Sequence, residues 1–169
     1  MQQDIVVREL TCNDDENSIR RIWQNTLREV QQNKDETELH IEKYSKLDMG
    51  NIRDYYLQHD GKFFVAENKP NNEIIGFIGI IKKEGDYFLQ RLNVSPIYRG
   101  NGIGQLLCET VIDTFVKLQS LQTSTFNPCK LKLTVDHNNK SALTLFTKLQ
   151  FKVVSMVSDN IAMMEYQSL

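Results

Sequence analysis

The sequence predicts a single domain over residues 1–169 with an α+β fold: one mixed, mainly antiparallel β-sheet of about seven strands flanked by about four helices. Three observations predict it. Short apolar runs rich in β-branched and aromatic residues recur along the whole chain. Between them, four stretches place apolar residues at helical spacing. The connectors are short and polar, with no repeat, low-complexity tract or linker, so one core serves the whole chain.

Taken in order, Ile5-Val6-Val7-Arg8 with Leu10 reads as a short strand, closed by the polar Asn13-Asp14-Asp15-Glu16. Ile19, Ile22, Trp23, Leu27 and Val30 then share one helical face. The polar stretch 31–40 reads as the end of that helix followed by a loop. A weaker helical pattern covers 47–58, with Met49, Ile52, Tyr55 and Tyr56. Phe63 to Ala66 is a strand, and Lys69-Pro70-Asn71-Asn72 a turn. Ile74 to Ile81 is apolar throughout, as a strand buried on both faces must be. Lys82 to Asp86 has the composition of a hairpin turn, and Tyr87 to Val94 follows as a strand. Ile103, Leu107, Val111, Phe115 and Leu118 form one helical stripe. Residues 119–129 read as a polar loop ending in Asn127-Pro128. Leu131 to Val135 alternates as a strand, and Ala142, Leu145, Phe146 and Leu149 make a short helix. Phe151 to Val157 and Ile161 to Tyr166 close the chain as two strands around Ser158-Asp159-Asn160.

A hydrophobic fraction of 40% and a charged fraction of 25% are those of an ordinary globular chain. With a net charge of only −2, nothing argues for a nucleic-acid or membrane-surface partner, and none is expected. The charge is uneven: residues 1–60 carry 13 acids and 8 bases, and residues 61–169 carry 9 acids and 12 bases. Cys12, Cys108 and Cys129 are odd in number, widely spaced and without a CxxC pair, which fits thiols in a reducing compartment better than disulfides or metal. The N-terminus lacks the basic and apolar segments of a signal peptide. No apolar run approaches a membrane span of about 18 residues. A cytoplasmic protein is the expectation.

The stretch Tyr98-Arg99-Gly100-Asn101-Gly102-Ile103-Gly104 turns from a strand into a helix through glycines. Such a turn leaves the first backbone N–H groups of the helix unpaired at the positive end of its dipole, a ready anion site. Glycines let the backbone close on a phosphate, and Arg99 adds a cation at the mouth. The dinucleotide pattern G-x-G-x-x-G fails here, because Gln105 and Leu107 stand where its third glycine belongs. A Walker A pattern is absent as well. A phosphate cradle and a glycine turn with no ligand are the readings left open by the residues alone.

Two stretches together resemble the GCN5-related N-acetyltransferase (GNAT) family. Val94-Ser95-Pro96-Ile97-Tyr98-Arg99-Gly100-Asn101-Gly102-Ile103-Gly104 is similar to its acyl-CoA-binding motif, R/Q-x-x-G-x-G/A. Leu133, Val135, Asn139, Ala142, Leu145, Phe146 and Phe151 follow the spacing of its second motif, L-x-V-x-x-x-N-x-x-A-x-x-L-Y-x-x-x-G-F. The element order is similar from first strand to last, although the first sixty residues match in order only. The resemblance implies the acyl-CoA N-acyltransferase fold and acetyl-CoA as co-substrate, with no metal. Leu92, Asn93 and Val94 would bond the pantetheine arm through their backbone. Arg99, Gly100, Asn101, Gly102, Ile103 and Gly104 would hold the pyrophosphate, with Gln105 at the helix start. Asn139, Ala142 and Phe146 would line the other wall, and the strands carrying Val94 and Val135 would splay apart. The backbone N–H near Val94 would face the thioester oxygen, where charge develops when an amine attacks.

The resemblance further implies direct attack of a primary amine, whether a small amine, an amino acid or a protein N-terminus, by a monomer or homodimer. An acyl-CoA-binding module without catalysis is the alternative, because Phe146 stands where the family has its proton-donating tyrosine and Gln150 where it has glycine. A thiol that titrates near ~8.5 leaves at neutral pH with little need of an acid. For the general base the candidates are Asp136, His137, Glu84, Asp86 and Tyr87, alongside a water chain to solvent. His137 is also a candidate helix cap near Asn138-Asn139. His40 and His59 carry no signal.

Overall fold

The computed structural model describes residues 4–30, 33–121 and 128–168. In chain order the elements are β1 (Ile5–Glu9), α1 (Glu16–Val30), α2 (Lys34–Ser45), α3 (Ile52–Gln58), β2 (Lys62–Asn68), β3 (Glu73–Lys83), β4 (Asp86–Val94), α4 (Ile103–Ser120), β5 (Leu131–Asp136), α5 (Lys140–Lys148), β6 (Phe151–Met156) and β7 (Ile161–Tyr166). A single 3₁₀ turn, Pro96–Tyr98, leads into the glycine turn. The sheet order is β1-β2-β3-β4-β5-β7-β6. Every pairing is antiparallel except β4 with β5. That exception follows from connectivity, since α4 carries the chain back across the sheet between the two strands.

The sheet separates two apolar layers. Residues Ile75 to Ile81 of β3 are all buried, the two-sided burial its composition predicts. On one face α4 and α5 cover a cluster centred on Leu107, Val111, Phe115, Leu131, Phe146 and Phe151. On the other, α1, α2 and α3 cover Trp23, Met49, Ile52, Tyr56, Phe63 and Phe77. Gly79 is required here: a Cβ on it would overlap the ring of Tyr56, which packs against β3 at this point. The β3–β4 hairpin turns through Glu84 (φ +53°) and Gly85 (φ +90°), both left-handed as a two-residue hairpin turn demands.

Two expectations change. Within the stretch 31–40, read as the end of the first helix and a loop, residues 34–40 belong to α2 (Lys34–Ser45), which makes five α-helices among the described residues. Only Thr37 and Ile41 of that helix are buried, so it shows almost no apolar period. Its start was nonetheless written in the sequence, for the Asn33 side chain accepts from the N–H groups of Asp35 and Glu36. The pattern over 47–58 yields a helix only from Ile52, because Asn51 caps it and residues 46–50 form the turn that packs Met49 inward. The expected end of the first helix at 31–32 and the middle of the loop expected over 119–129, at 122–127, lie outside the described residues. At the edges of that loop, α4 runs to Ser120 and β5 starts at Leu131.

Candidate active site

The glycine turn sits where β4 gives way to α4. Gly100 (φ +78°) and Gly102 (φ +79°) are both left-handed, a conformation that costs an L-residue about 1–2 kcal/mol. Gly102 is the N-cap of α4 and no side chain caps that helix. The first helical bond runs from Leu106 N to Gly102 O, so the N–H groups of the opening turn have no intrahelical partner. The turn is closed by the Asn101 amide, which donates to the carbonyls of Tyr98 (3.1 Å) and Arg99 (3.2 Å). Tyr98 is itself tied by its hydroxyl to Glu73 at 2.8 Å. Arg99 stands at the mouth as expected, but its guanidinium is already engaged. Nε donates to Val94 O (3.0 Å), and the other nitrogens donate to Glu29 (3.0 Å) and Thr26 (3.3 Å) on α1. The residue therefore also latches α1 to the turn.

Beside the turn the sheet opens. β4 and β5 are in register only at Tyr87–Leu131 and Phe88–Lys132, after which the two strands part. Leu92, Asn93 and Val94 lie on the parted stretch of β4. Gly104 faces Val94 and Leu145 with no side chain between them, so the end of β4, the start of α4 and α5 converge on the opening. Asn139 caps α5 by accepting from Ala142 N at 3.1 Å, which sets the wall formed by that helix. Phe146 is 5% exposed and packs edge-on against Phe151, with centroids 5.8 Å apart. Lys148, which sequence reasoning passed over, reaches from α5 to Gln105 Oε1 at 2.8 Å and puts a second cation at the start of α4. A cavity of about 490 Å³ lies on the opposite flank of the turn, lined by Asp4, Ile5, Asn68, Tyr98, Asn101, Gly102 and Ile103. It faces β1 rather than the opening.

The parted stretch of β4 begins with a bulge. Gly79 of β3 opposes Gln90 and Phe77 opposes Asn93, so Arg91 and Leu92 together face Ile78 alone. Arg91 takes φ +61°. Consecutive side chains of a regular strand point to opposite faces, but here Gln90 and Arg91 both reach the α1–α3 layer. Gln90 donates to the Tyr56 hydroxyl at 2.9 Å, and Arg91 holds Asp48 through two bonds of 2.6 and 2.9 Å. His40, which carries no signal in the sequence, lies against Tyr44 with the ring centroids 4.4 Å apart and the planes tilted by 40°. Burial and the charges of Arg91 and Lys43 hold its imidazole below its ordinary pKa.

The titratable residues proposed from sequence do not gather at the bulge. Asp86 lies at the far end of β4, bonded to Lys132 Nζ (2.5 Å) and Lys130 N (2.9 Å). Its carboxyl is held low by the Lys132 bond and those charges, against a burial effect in the other direction. Glu84 is in the exposed hairpin turn, and Tyr87 is buried against Phe115 at 5.8 Å. Asp136 accepts from Asn138 N, and His137 is exposed in the β5–α5 connection, where the capping role falls to Asn139. Of the thirteen acids of residues 1–60, eight are in ion pairs: Glu9–Lys62, Asp14–Arg8, Asp15–Arg21, Glu16–Arg20, Glu29–Arg99, Glu38–Arg28, Glu42–Lys46 and Asp48–Arg91. Among the described residues no cluster of three or more His, Cys, Asp or Glu side chains is disposed to hold a metal. Among them, too, no helix is long and apolar enough to cross a membrane.

Residues 59–153, more than half of the chain, match the sequence family described as "Acetyltransferase (GNAT) domain". The chain belongs to the GNAT acetyltransferase family. Its architecture is that family's acyl-CoA N-acyltransferase fold, and solved structures repeat it from end to end. The PaiA N-acetyltransferase of Thermoplasma acidophilum in complex with coenzyme A superposes with a TM-score of 0.75 at 19% identity, covering 97% of this chain and 99% of that one. A GNAT acetyltransferase of Elizabethkingia anophelis with acetyl-CoA bound gives 0.61 at 16% identity, with 98% and 99% covered. A chimera of the Vibrio cholerae spermidine N-acetyltransferase SpeG with hSSAT gives 0.62 at 18%, with 96% and 95% covered. No curated protein sequence matches significantly. The family match starts at residue 59, so the GNAT signature covers the turn, the opening and α5 but none of α1, α2 or α3.

Proposed function

We propose that this chain transfers the acetyl group of acetyl-CoA to a primary amine, be it a small amine, an amino acid or a protein N-terminus, by direct attack on the thioester. The observation that carries the reading is the opening between β4 and β5 beside an uncapped helix start. The residues fit the co-substrate: the N–H groups of Ile103, Gly104 and Gln105 suit a pyrophosphate, with Arg99 and Lys148 as cations beside it. On the side facing β5, Leu92, Asn93 and Val94 offer a strand edge without a ladder partner to a pantetheine arm. When bound, acetyl-CoA supplies an activated acetyl thioester. The chain supplies orientation, and a backbone N–H near Val94, on the bulged stretch of β4, stabilises negative charge on the carbonyl oxygen.

Phe146 donates no proton, and a leaving thiolate whose thiol has a pKa near ~8.5 has little need of an acid at neutral pH and takes its proton from water. The amine sheds its proton to water, since Asp136, His137, Glu84, Asp86 and Tyr87 each stand elsewhere or in other contacts. The ion-paired acids of residues 1–60 give no preference for a cationic acceptor. We further propose a cytoplasmic monomer or homodimer without nucleic-acid or membrane partners, on the grounds that Cys12, Cys108 and Cys129 form no disulfide and the net charge is −2.

The test is release of free thiol from acetyl-CoA by the purified protein across a panel of polyamines, amino acids and peptide N-termini. Saturable release with at least one acceptor is expected. Tight acetyl-CoA binding with no release on any amine would replace the reading with the second one, an acyl-CoA-binding module, which the buried Phe146 favours. Neither binding nor release would leave the glycine turn without a ligand.

A further inference from the structure

Arg91 is a bulky residue held in a left-handed conformation at the bulge of β4. Such a residue persists only where its surroundings over-determine it. Four elements do so here. Asp48, 4% exposed in the turn between α2 and α3, takes the guanidinium in the bidentate fork that arginine alone offers. Tyr44 of α2 lies 4.4 Å from the guanidinium carbon and Trp23 of α1 5.6 Å, both in cation–π range. Tyr56 of α3 holds the preceding residue through Gln90. The Asn93 amide closes the bulge by donating to Arg91 O at 3.3 Å. Apart from the Asn93 bond, these contacts come from the α1–α3 layer, whereas the next residue, Leu92, packs against the α4 layer.

We propose that the Asp48–Arg91 pair is a positioning device for acetyl transfer: it fixes the β4 bulge, and through it presents the Leu92 backbone amide to the opening between β4 and β5. The proposal rests on the acetyl-transfer reading above. It makes Asp48 and Arg91 positioning residues rather than catalytic ones, and it extends the working parts of the site into residues 1–58. The glycine turn, which binds the other end of the co-substrate, is untouched by the clamp. Loosening the clamp therefore lowers turnover far more than cofactor affinity, to which the stretch from Leu92 to Val94 adds only the pantetheine contacts.

The experiment compares wild type with Asp48→Asn, which keeps the shape and loses the charge, and with Arg91→Lys, which keeps the charge and loses the fork. Tyr44→Leu serves as a third variant that leaves no buried charge unpaired if the first two fail to fold. Expected are a kcat lowered by about 10- to 100-fold for Asp48→Asn and Arg91→Lys, against the 10²–10³ for outright loss of an oxyanion donor. A smaller loss is expected for Tyr44→Leu. In all three the dissociation constant for coenzyme A, measured by calorimetry, stays within about threefold of wild type. Independently of turnover, the ¹H–¹⁵N resonance of Leu92 shifts or broadens in each folded variant, while that of Gly102 does not. Folded variants with unchanged kcat and an unchanged Leu92 resonance overturn the proposal. A fall in coenzyme A affinity as large as the fall in kcat overturns it too, since it would make the pair a general scaffold. If wild type acetylates no amine, the acetyl-transfer reading fails on its own, and the Leu92 resonance still decides whether the clamp holds the bulge.

Discussion

On one face of β4 the site is made of backbone. The turn at 99–104 works through two left-handed glycines and the N–H groups of an uncapped helix start, and the strand edge from Leu92 to Val94 works through groups that any residue carries. On the other face it is made of side chains. Trp23, Tyr44, Asp48 and Tyr56 arrive from three helices and the turn between two of them to seize Gln90 and Arg91. A backbone device constrains which residues can occupy consecutive positions, so it leaves a motif. A side-chain clamp constrains only where distant residues meet, and Asp48 and Arg91 are 43 positions apart. The family match begins at residue 59, and the helices that cover the sheet's second face all lie before it.

The widest separation between the two faces is expected from Trp23→Ala. Trp23 is 2% exposed, and truncating a buried tryptophan costs about 3–5 kcal/mol. Chemical denaturation followed by circular dichroism, since this is the chain's single tryptophan, is expected to show that loss. A loss under about 1 kcal/mol would mean that the helix layer contributes little to the fold and that the comparison is wrong. Gly102→Val tests the opposite face. A β-branched residue at φ +79° is a backbone outlier, so the turn distorts and the N–H groups at the start of α4 lose their common aim. Coenzyme A affinity is expected to fall by about tenfold or more, equivalent to at least ~1.4 kcal/mol, in a protein that still folds. Unchanged affinity would take the turn out of the site.

A smaller effect separates stability from function within the helix-side half. Arg8 joins β1 to β2 and to the loop before α1, through Glu67 at 2.6 Å and Asp14 at 2.6 Å. The Arg8 bond, with the Thr11 N–H and hydroxyl, lowers the Asp14 carboxyl to about 2. Its ordinary value is near ~3.9. A carboxyl depressed on folding contributes stability that is fully present above the unfolded value and is lost as pH falls from about 4 to about 2. Asp14→Asn is therefore expected to cost about 1–2 kcal/mol at pH 7, after allowance for the partial exposure of Arg8. The difference from wild type closes by about pH 2. Urea midpoints at pH 7, 4 and 2.5 check it, and a gap that stays constant with pH would show that the ion pair is not its source. Neither the turn nor the clamp contains Asp14, so kcat is expected to be unchanged.

These contrasts also mark what the sequence made legible. The seven strands and the glycine turn at 99–104 were readable, because burial period and glycine placement are local signals, whereas the opening between the strands of Val94 and Val135 was implied only by the resemblance to the family. α2 was missed because just Thr37 and Ile41 of its twelve residues are buried, although the Asn33 cap was there to be seen. The clamp was not readable at all. Arg91 in the strand Tyr87 to Val94 looks like one more polar residue on an alternating strand, and only the register break between Phe77 and Gly79 reveals that it and Gln90 share a face.

Gln150 is the counterpart to Arg91 and carries the smallest expected effect. The resemblance to the family placed a glycine at this position, and the structure supplies the reason: φ is +68° where α5 ends and β6 begins. Both Arg91 and Gln150 hold a left-handed backbone without being glycine. Arg91 is gripped by side chains from another layer, whereas Gln150 is exposed and takes part through its backbone alone, N–H to Thr147 O (3.1 Å) and carbonyl from Gln167 N (3.0 Å). Gln150→Gly keeps both bonds. It removes about 1–2 kcal/mol of left-handed strain and adds about 0.5–1 kcal/mol of chain entropy to be lost on folding. The net expectation is a gain of about 0.5–1 kcal/mol, read as a higher urea midpoint with an unchanged slope. Arg91→Gly relieves the same strain yet is expected to lose stability, because the clamp goes with it. If both glycine variants were stabilised alike, Arg91 would be an unrelieved strain like Gln150, and the side-chain face of β4 would have no hold on the bulge.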